Sequence, residues 1–253
     1  MSVESNSNGE SPRVLLVDPY VAKDDPMERK FVELYPSLGI LTLAGFLRRQ
    51  GVEVEVVDLT FARDIRPVAA AIHSFRPTLV GVHTKTLTLD RALAIARLAK
   101  AAGAYTVAGG PDAATRPATY LAEAFDAVAL GEGEATLVEL AHAVRDGAKR
   151  HGIAGLAVLD GERVVRGPVR PFLSSLDDLP LPAWDAVDLE RYLGSWQRST
   201  GERRMAVLTS RGCPFDCAWC SKPTFGRSYR QQSVGRVLDE LRALKDRFQV
   251  DYI

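Results

Sequence analysis

All three cysteines of the chain lie in one short segment, SRGCPFDCAWCSKPTFGRSYR, at residues 210–230. Cys213, Cys217 and Cys220 are separated by three and then two residues. Thiolates are soft donors, and a short loop can direct several of them to one metal centre. An odd number of clustered thiols also argues against a disulfide framework and favours a reducing, cytoplasmic compartment. The spacing therefore predicts a metal site.

The ligand count favours a catalytic metal centre over a structural one. A structural zinc ion needs four ligands, and the nearest histidine, His151, is far upstream. Asp216 lies inside the loop, but three cysteines with one aspartate are an uncommon zinc site. Three protein ligands leave one coordination position open, as in catalytic centres. The simpler alternatives are a zinc knuckle and three incidental cysteines.

The region in front of the cysteines predicts a parallel sheet. Short β-branched runs that end in Gly, Pro or Asp predict strands, and helical patterns lie between them. Ser37 and Thr88 are N-cap candidates for helices that end at Gly51 and Gly103, and a further helix begins near Thr136. This alternation predicts an α/β fold, a flavodoxin-like (Rossmann-like) doubly wound sheet that binds ligands at the carboxyl ends of its strands. The predicted strands are 13–19, 52–59, 77–84, 104–111 and 127–134.

The remaining segments predict a second, incomplete domain. A hairpin is expected around Asp160-Gly161, followed by an extended proline-rich linker at 167–192. A strand at 205–210, a helix at 232–248 and the start of another strand at 250–253 make one and a half βα units. We therefore expect the first βα unit of a truncated (β/α) barrel, in a chain that is inactive alone. The predicted divisions are a disordered tail at 1–12, a sheet domain at 13–150, hairpin and linker at 151–200, and the partial barrel at 201–253.

Composition gives no sign of a nucleic-acid or membrane partner. The chain has 32 basic and 32 acidic residues, and its formal net charge is zero. Such a balance provides no electrostatic attraction to nucleic acid or to an anionic membrane. The sequence has no apolar run of the roughly 18 residues that a membrane span needs, and the short polar segment before the first strand is not expected to act as a signal peptide.

The cysteine segment resembles the signature of the radical S-adenosylmethionine (SAM) superfamily. The resemblance rests on the spacing of the three cysteines, on Trp219 before the last of them, and on their position after a predicted strand. It implies a 4Fe–4S cluster on the three thiolates and SAM on the fourth iron, cleaved to a 5′-deoxyadenosyl radical. It also implies Trp219 near the adenine and an electron donor such as flavodoxin or ferredoxin. Four basic side chains are expected to offset the cluster's negative charge: Arg211, Lys222, Arg227 and Arg230.

Segments of the first domain and the connector together resemble the cobalamin-binding radical SAM enzymes. These segments are 35–59, 109–117, 129–140 and 177–185. A corrinoid is large and flat, and it needs a broad crevice with glycine turns and backbone donors. Each glycine pair alone is also explained by an ordinary strand-to-helix turn. The candidate cobalamin contacts are Ser37, Gly39, Thr84, Thr86, Gly109, Gly110, Gly131, Glu132 and Gly133.

One departure from the cobalamin pattern leaves the cobalt ligand open. Classical cobalamin domains place Asp-x-His-x-x-Gly after the first strand, whereas this chain has Asp18, then Tyr20 and Lys23 at the histidine and glycine positions. His83 ends the third strand and is a candidate ligand, although lone histidines are more often structural. A phospho-receiver is disfavoured because the third strand lacks its aspartate. A flavodoxin is disfavoured because DPYVAKDDP is no phosphate loop.

The resemblance implies a methyltransferase that acts on an unactivated carbon or phosphorus of a small-molecule or natural-product substrate. One alternative uses the same cofactors for cyclisation or rearrangement. A second is a non-catalytic corrinoid- or cluster-binding sensor, and a third is a radical enzyme whose first domain has lost corrinoid. The catalytic residues that contact the substrate are expected beyond residue 253.

Overall fold

The computed structural model describes residues 10–27, 34–220 and 224–253. Most of the predicted tail at 1–12 lies outside these ranges. A seven-stranded sheet has the order β2-β1-β3-β4-β5-β6-β7, and β1 to β5 are all parallel. The order 2-1-3-4-5 is that of a flavodoxin-like sheet, which confirms the predicted fold class for this region. The parallel strands are β1 (Arg13–Asp18), β2 (Glu53–Asp58), β3 (Leu79–His83), β4 (Tyr105–Gly109) and β5 (Ala127–Ala129).

Helices cover both faces of the parallel strands. One buried apolar cluster joins α1 and α6 to one face, and a second joins α2, α3 and α5 to the other. Burial on both sides explains why the central strands are mostly apolar runs. The helices are α1 (Leu38–Arg49), α2 (Arg66–Phe75), α3 (Leu89–Ala101), α4 (Pro111–Thr115), α5 (Pro117–Glu123) and α6 (Glu134–Arg145).

The predicted hairpin forms, and it extends the same sheet. Strand β6 (Leu156–Asp160) pairs antiparallel with β5, and β7 (Arg163–Arg166) pairs antiparallel with β6 around Asp160-Gly161. The hairpin thus adds two antiparallel strands to the edge of the parallel sheet.

The connector differs from the extended linker predicted at 167–192, because a helix begins within it. Helix α7 spans Leu189–Thr200, and the Asp188 side chain caps it by accepting a hydrogen bond from the Arg191 backbone N–H at 3.2 Å. Apolar residues at positions i, i+3, i+4 and i+7 are buried, which anchors this helix. They are Leu189, Tyr192, Leu193 and Trp196.

Two polar contacts hold α7 on the sheet domain. The Tyr192 hydroxyl donates to the Asp58 carboxylate at the end of β2, and the Trp196 indole N–H donates to the Leu34 carbonyl at 2.8 Å. Burial raises the pKa of Asp58, although the hydrogen bond from Tyr192 opposes the shift. Helix α7 is therefore fixed against the first domain rather than lying in solvent.

The last segment contains a short antiparallel pair and a long helix. Strand β8 (Ser210–Arg211) pairs with β9 (Arg230–Gln231), and α8 spans Val234–Phe248, in agreement with the predicted helix. The strand predicted at 205–210 is wrong over most of its length. Only one parallel bridge forms beside it, between Arg204 and Tyr252, so most of its backbone has no ladder partner in the described residues. None of the described helices is both long and apolar enough for a membrane crossing.

Candidate functional site

A cavity of about 600 Å³ lies between the carboxyl edge of the parallel sheet and the cysteine segment. Its volume falls in the range of about 300–1,000 Å³ that is typical of cofactor and ligand pockets. Apolar and small side chains of the strands and of α6 form its base, and the start of α1 forms one side. The base residues are Leu16, Gly81, Val107, Ala129 and Leu137.

Most of the predicted rim residues meet at this cavity. They come from the start of α1, the end of β4 and the loop between β5 and α6, three places far apart in the sequence. The carboxyl ends of parallel strands share one edge, which explains why the fold gathers them. The predicted residues that line the cavity are Ser37, Gly39, Gly109, Gly110, Gly131, Glu132 and Gly133.

The backbone at Gly110 requires glycine. Its φ angle is +105°, and an added Cβ would lie 2.7 Å from His83 Cδ2 and 2.8 Å from the Thr84 carbonyl oxygen. The β4–α4 turn can therefore pack directly on the end of β3. Gly39 is different, because an added Cβ there would meet nothing within 4 Å.

Thr84 and Thr86 do not line the cavity. Thr84 is fully buried, and its hydroxyl donates to the Gly109 carbonyl at 2.9 Å while it accepts from the Ala113 N–H at 3.2 Å. The Thr86 hydroxyl bonds to Asp112 at 2.8 Å on the exposed surface. Both threonines thus hold the turn after β4, and neither side chain faces the cavity.

The cysteine segment faces the cavity in part. Cys213 and Cys220 line it, Cys217 is exposed outside it, and all three thiols are free. Within the described ranges, no three His, Cys, Asp or Glu side chains are grouped closely enough to hold a metal ion. The donor set itself, three thiols on one loop, fits an iron–sulfur cluster, since thiolates are its usual ligands. Trp219 is 87% exposed and does not line the cavity.

Gly212 closes the cysteine loop. Its φ angle is +83°, and an added Cβ would lie 1.6 Å from the Ser228 carbonyl oxygen. Any larger residue would push the end of the loop away from its start. The loop is thereby folded back so that Thr224, Phe225 and Gly226 also line the cavity.

The basic residues predicted to offset the cluster charge have other partners. Arg211 is buried between Glu132 and Glu134, with N–O distances of 3.0 and 2.6 Å. Arg230 also binds Glu132, at 3.0 Å, and Arg227 pairs with Asp216 at 2.7 Å on the surface. Lys222 lies outside the described residues. Arg211 and Arg230 were expected to offset the charge of a cluster. In the structure, both arginines form buried ion pairs with glutamates of the sheet domain.

These buried ion pairs join the sheet domain to the cysteine segment. Glu132 lies in the loop between β5 and α6, Glu134 is the first residue of α6, and Arg211 in β8 precedes the cysteine loop. Burial lowers the pKa of Arg211, but the attraction of Glu134 and Glu132 outweighs it, and the net shift is upward. We refer to Glu132, Glu134, Arg211 and Arg230 as the charged junction. Glu132, a predicted cobalamin contact, lines the cavity, and its carboxylate accepts hydrogen bonds from the two arginines and from the Leu173 N–H.

His83 lines the cavity beside Gly109 and Gly110. It ends β3, and its Nδ1 lies 3.8 Å from the Asp18 carboxylate at the end of β1. The only sequence signal for this position was a histidine at a strand end. The pairing with Asp18 depends on strand order and could not be predicted from the sequence.

Comparison with known proteins agrees with this geometry. Residues 28–141 match the family model described as the B12 binding domain. The uncharacterised methyltransferase PH0819 of Pyrococcus horikoshii is 33% identical over 242 residues, which cover 92% of this chain and 50% of that protein. The anaerobic magnesium-protoporphyrin IX monomethyl ester cyclase of Rubrivivax gelatinosus is 31% identical, over 86% of this chain and 40% of that protein.

A solved structure also matches both parts of the chain. The radical S-adenosylmethionine methyltransferase TsrM of Kitasatospora setae, with tryptophan substrate and a SAM analogue bound, superposes with a TM-score of 0.75 at 25% identity. The match covers 96% of this chain and 47% of TsrM. The chain thus spans about half the length of the relatives that it matches. It carries a B12-binding domain and is homologous to the cobalamin-dependent radical SAM methyltransferases.

Proposed function

We propose that this chain forms the cofactor-binding part of a cobalamin-dependent radical SAM methyltransferase. The observation that carries the proposal is the cavity itself, which has the sheet edge of a B12-binding domain on one side and two free cysteines on the other. We further propose an unactivated carbon or a phosphorus centre of a small molecule as the methyl acceptor. The relatives named as methyltransferases support this class of reaction.

In this proposal, Cys213, Cys217 and Cys220 hold a 4Fe–4S cluster and the cavity holds cobalamin. When bound, the cluster and SAM supply a 5′-deoxyadenosyl radical, and the corrinoid supplies a methyl group. The chain's own residues position these groups and exclude water. The apolar base of the cavity favours a large, flat ring, and the glycine turns let the backbone approach it. Trp219 is proposed as a contact of the SAM adenine.

The first test is iron binding by the anaerobically reconstituted chain. We expect a brown protein with about four irons per chain, the cluster that this ligand set holds. Cys217→Ala should lose the iron and its absorption. Trp219→Ala is the matched control, because this exposed neighbour should leave the iron content unchanged. A Cys217→Ala variant that retains the full cluster would contradict the assignment.

A cyclase or rearrangement enzyme is the second candidate, because a cyclase is among the relatives that match most of this chain. The two reactions differ in the fate of the methyl group of SAM. With methyl-labelled SAM, the full protein should transfer label to its substrate if it is a methyltransferase. Cleavage of SAM to 5′-deoxyadenosine, with the label recovered only in methionine and none in the converted substrate, would favour the cyclase.

A non-catalytic sensor is distinguished by SAM cleavage. The reduced full protein, supplied with electrons by flavodoxin or ferredoxin, should release 5′-deoxyadenosine, whereas a sensor that only binds a cluster or corrinoid should not. Incubation with hydroxocobalamin tests the remaining alternative, a first domain that has lost corrinoid. Failure to bind hydroxocobalamin would support that alternative and overturn the cobalamin part of the proposal.

A further inference from the structure

The two ends of the cysteine loop meet at one point of the structure. The loop, residues 212–229, leaves from β8 and returns through β9, and Arg211 and Arg230 are cross-strand partners in this pair of strands. Gly212 keeps the ends close, because an added Cβ would lie 1.6 Å from the Ser228 carbonyl oxygen. A group that binds both arginines therefore holds both ends of the loop that carries the three thiols.

The Glu132 carboxylate binds both of these arginines. Its Oε1 accepts hydrogen bonds from Arg211 Nη1 and from Arg230 Nη1, each at 3.0 Å. Its Oε2 accepts from the Leu173 N–H at 2.7 Å. The charged side chains are buried, with 4% of Glu132, 4% of Arg211 and 14% of Arg230 exposed. One carboxylate thus connects β8, β9 and the segment that follows the hairpin.

Glu134 differs from Glu132 in the number of loop ends that it holds. Its carboxylate accepts a hydrogen bond from Arg211 Nη2 at 2.6 Å, and its side chain is equally buried. Without Glu134, Glu132 would still bind both arginines. Without Glu132, Arg230 would have no carboxylate partner among the described residues, and only the Arg211 end of the loop would stay bound.

Glu132 also belongs to the wall of the cavity. It lies between Gly131 and Gly133 in the turn after β5, and all three residues line the cavity from the sheet side. Cys213 and Cys220 line it from the loop side. Glycine on both sides gives the turn more backbone freedom than other residues would, so its conformation depends on what Glu132 and the cavity contact.

We propose that Glu132 is a positioning residue that couples the two cofactor sites, so that corrinoid and cluster each strengthen the binding of the other. The inference rests on the proposed function, because it needs both cofactors on this chain. A corrinoid that orders the turn at 131–133 also fixes the Glu132 carboxylate, and this carboxylate holds the loop that a cluster binds. The coupling is reciprocal for binding free energies, so one affinity ratio describes both directions.

The test measures the affinity of the whole chain for methylcobalamin by calorimetry, under anaerobic conditions and in the dark, with and without the cluster. Methylcobalamin is the probe because its methyl group occupies the cobalt position that free thiols would otherwise attack. The reconstituted chain should bind it about 5-fold to 150-fold more tightly than the iron-free chain, the usual range of coupling between two sites. Bound methylcobalamin should also slow the loss of iron to a chelator.

Two single substitutions separate this coupling from a general loss of buried charge. Glu132→Gln keeps the shape of the side chain and removes its charge, and it should reduce the affinity ratio to about 1, the value for independent sites. Glu134→Gln removes the same charge, but both arginines keep Glu132, so most of the coupling should remain. A merely structural role of the charged junction would give the two variants the same ratio.

A charge-balanced variant covers the case in which Glu132→Gln does not fold. The double substitution Glu132→Gln with Arg230→Gln removes one buried charge of each sign and leaves the pair of Arg211 and Glu134. This double variant should also lose the coupling. Thermal unfolding of each variant establishes that it is folded.

The outcomes distinguish the inference from the proposed function. If the wild-type chain binds no methylcobalamin or no cluster, the proposed function fails and the inference fails with it. If both bind, but the affinity for methylcobalamin is the same with and without the cluster, only the inference fails. Coupling that persists in the double variant, or that Glu134→Gln lowers as much as Glu132→Gln does, also overturns only the inference.

Discussion

Gly110 determines how closely the turn after β4 approaches the end of β3. Its backbone lies against the His83 ring and the Thr84 carbonyl, and its φ angle of +105° is one that other residues rarely adopt. The Thr84 hydroxyl fixes the same turn through the Gly109 carbonyl. The shape of the cavity at this edge thus depends on glycine at position 110, which has no side chain, and on the buried hydroxyl of Thr84.

We predict that Gly110→Ala destabilises the chain by about 1–3 kcal/mol, because it adds a strained backbone and a clash with the end of β3. It should also weaken cobalamin binding, since His83 must move. Denaturant unfolding and absorption titration with hydroxocobalamin measure the two effects.

Gly235→Ala is the matched control for this substitution. Gly235 lies in α8, where an added Cβ would meet only Ser233 Oγ, at 3.9 Å. Alanine there should stabilise the chain by up to about 1 kcal/mol through helix propensity. Equal stability of the two variants would show that the turn at Gly110 has no special requirement for glycine.

The sequence allowed the glycines of this rim to be predicted, but not the role of Thr84. Glycine pairs after apolar runs indicate where strands end, and the edge of a parallel sheet is where ligands bind. Whether a threonine at such an end faces a cavity or a neighbouring turn depends on its tertiary partner, here the Gly109 carbonyl. No local pattern contains that information.

At the scale of elements, the charged junction connects the β5–α6 loop to β8. Glu132, Glu134 and Arg211 are each at most 6% exposed, so their charges are compensated mainly by one another. A buried pair gives little net stability by itself, but removing one partner leaves an uncompensated charge. The junction therefore fixes where the cysteine loop sits relative to the sheet edge.

Arg211→Ala should cost about 3–5 kcal/mol of unfolding free energy, because two buried carboxylates lose their guanidinium partner. The surface pair of Arg227 and Asp216 provides the comparison, since these side chains are 72% and 68% exposed. Arg227→Ala should cost about 1 kcal/mol or less. Denaturant unfolding measures both, and similar small losses would mean that the junction is not a stabilising contact.

The elements of the sheet were predictable, and those of the connector were less so. The central parallel strands are mostly apolar runs with clear ends, because they are buried on both faces, whereas the edge strand β2 alternates glutamate with valine. The sequence of α7 also contains a helical pattern, namely the spacing of Leu189, Tyr192, Leu193 and Trp196. The proline-rich segment before it nevertheless led to the prediction of an extended linker. The strand predicted at 205–210 failed because ladder pairing depends on neighbours that its own pattern does not specify.

At the scale of the whole molecule, the cavity lies between the sheet domain and the cysteine segment. The sheet domain contributes glycine turns, an apolar base and His83, and the cysteine segment contributes Cys213 and Cys220. Helix α7 and the charged junction attach the connector and the cysteine segment to the sheet domain. This placement would bring a corrinoid and an iron–sulfur cluster to opposite sides of the same space.

The most direct test is the position of cobalt in crystals grown with hydroxocobalamin. Anomalous diffraction at the cobalt edge should give one strong peak inside the cavity, between the Gly109-Gly110 turn and Cys213. A cobalt peak elsewhere on the chain, or crystals of the chain without bound corrinoid, would contradict the account.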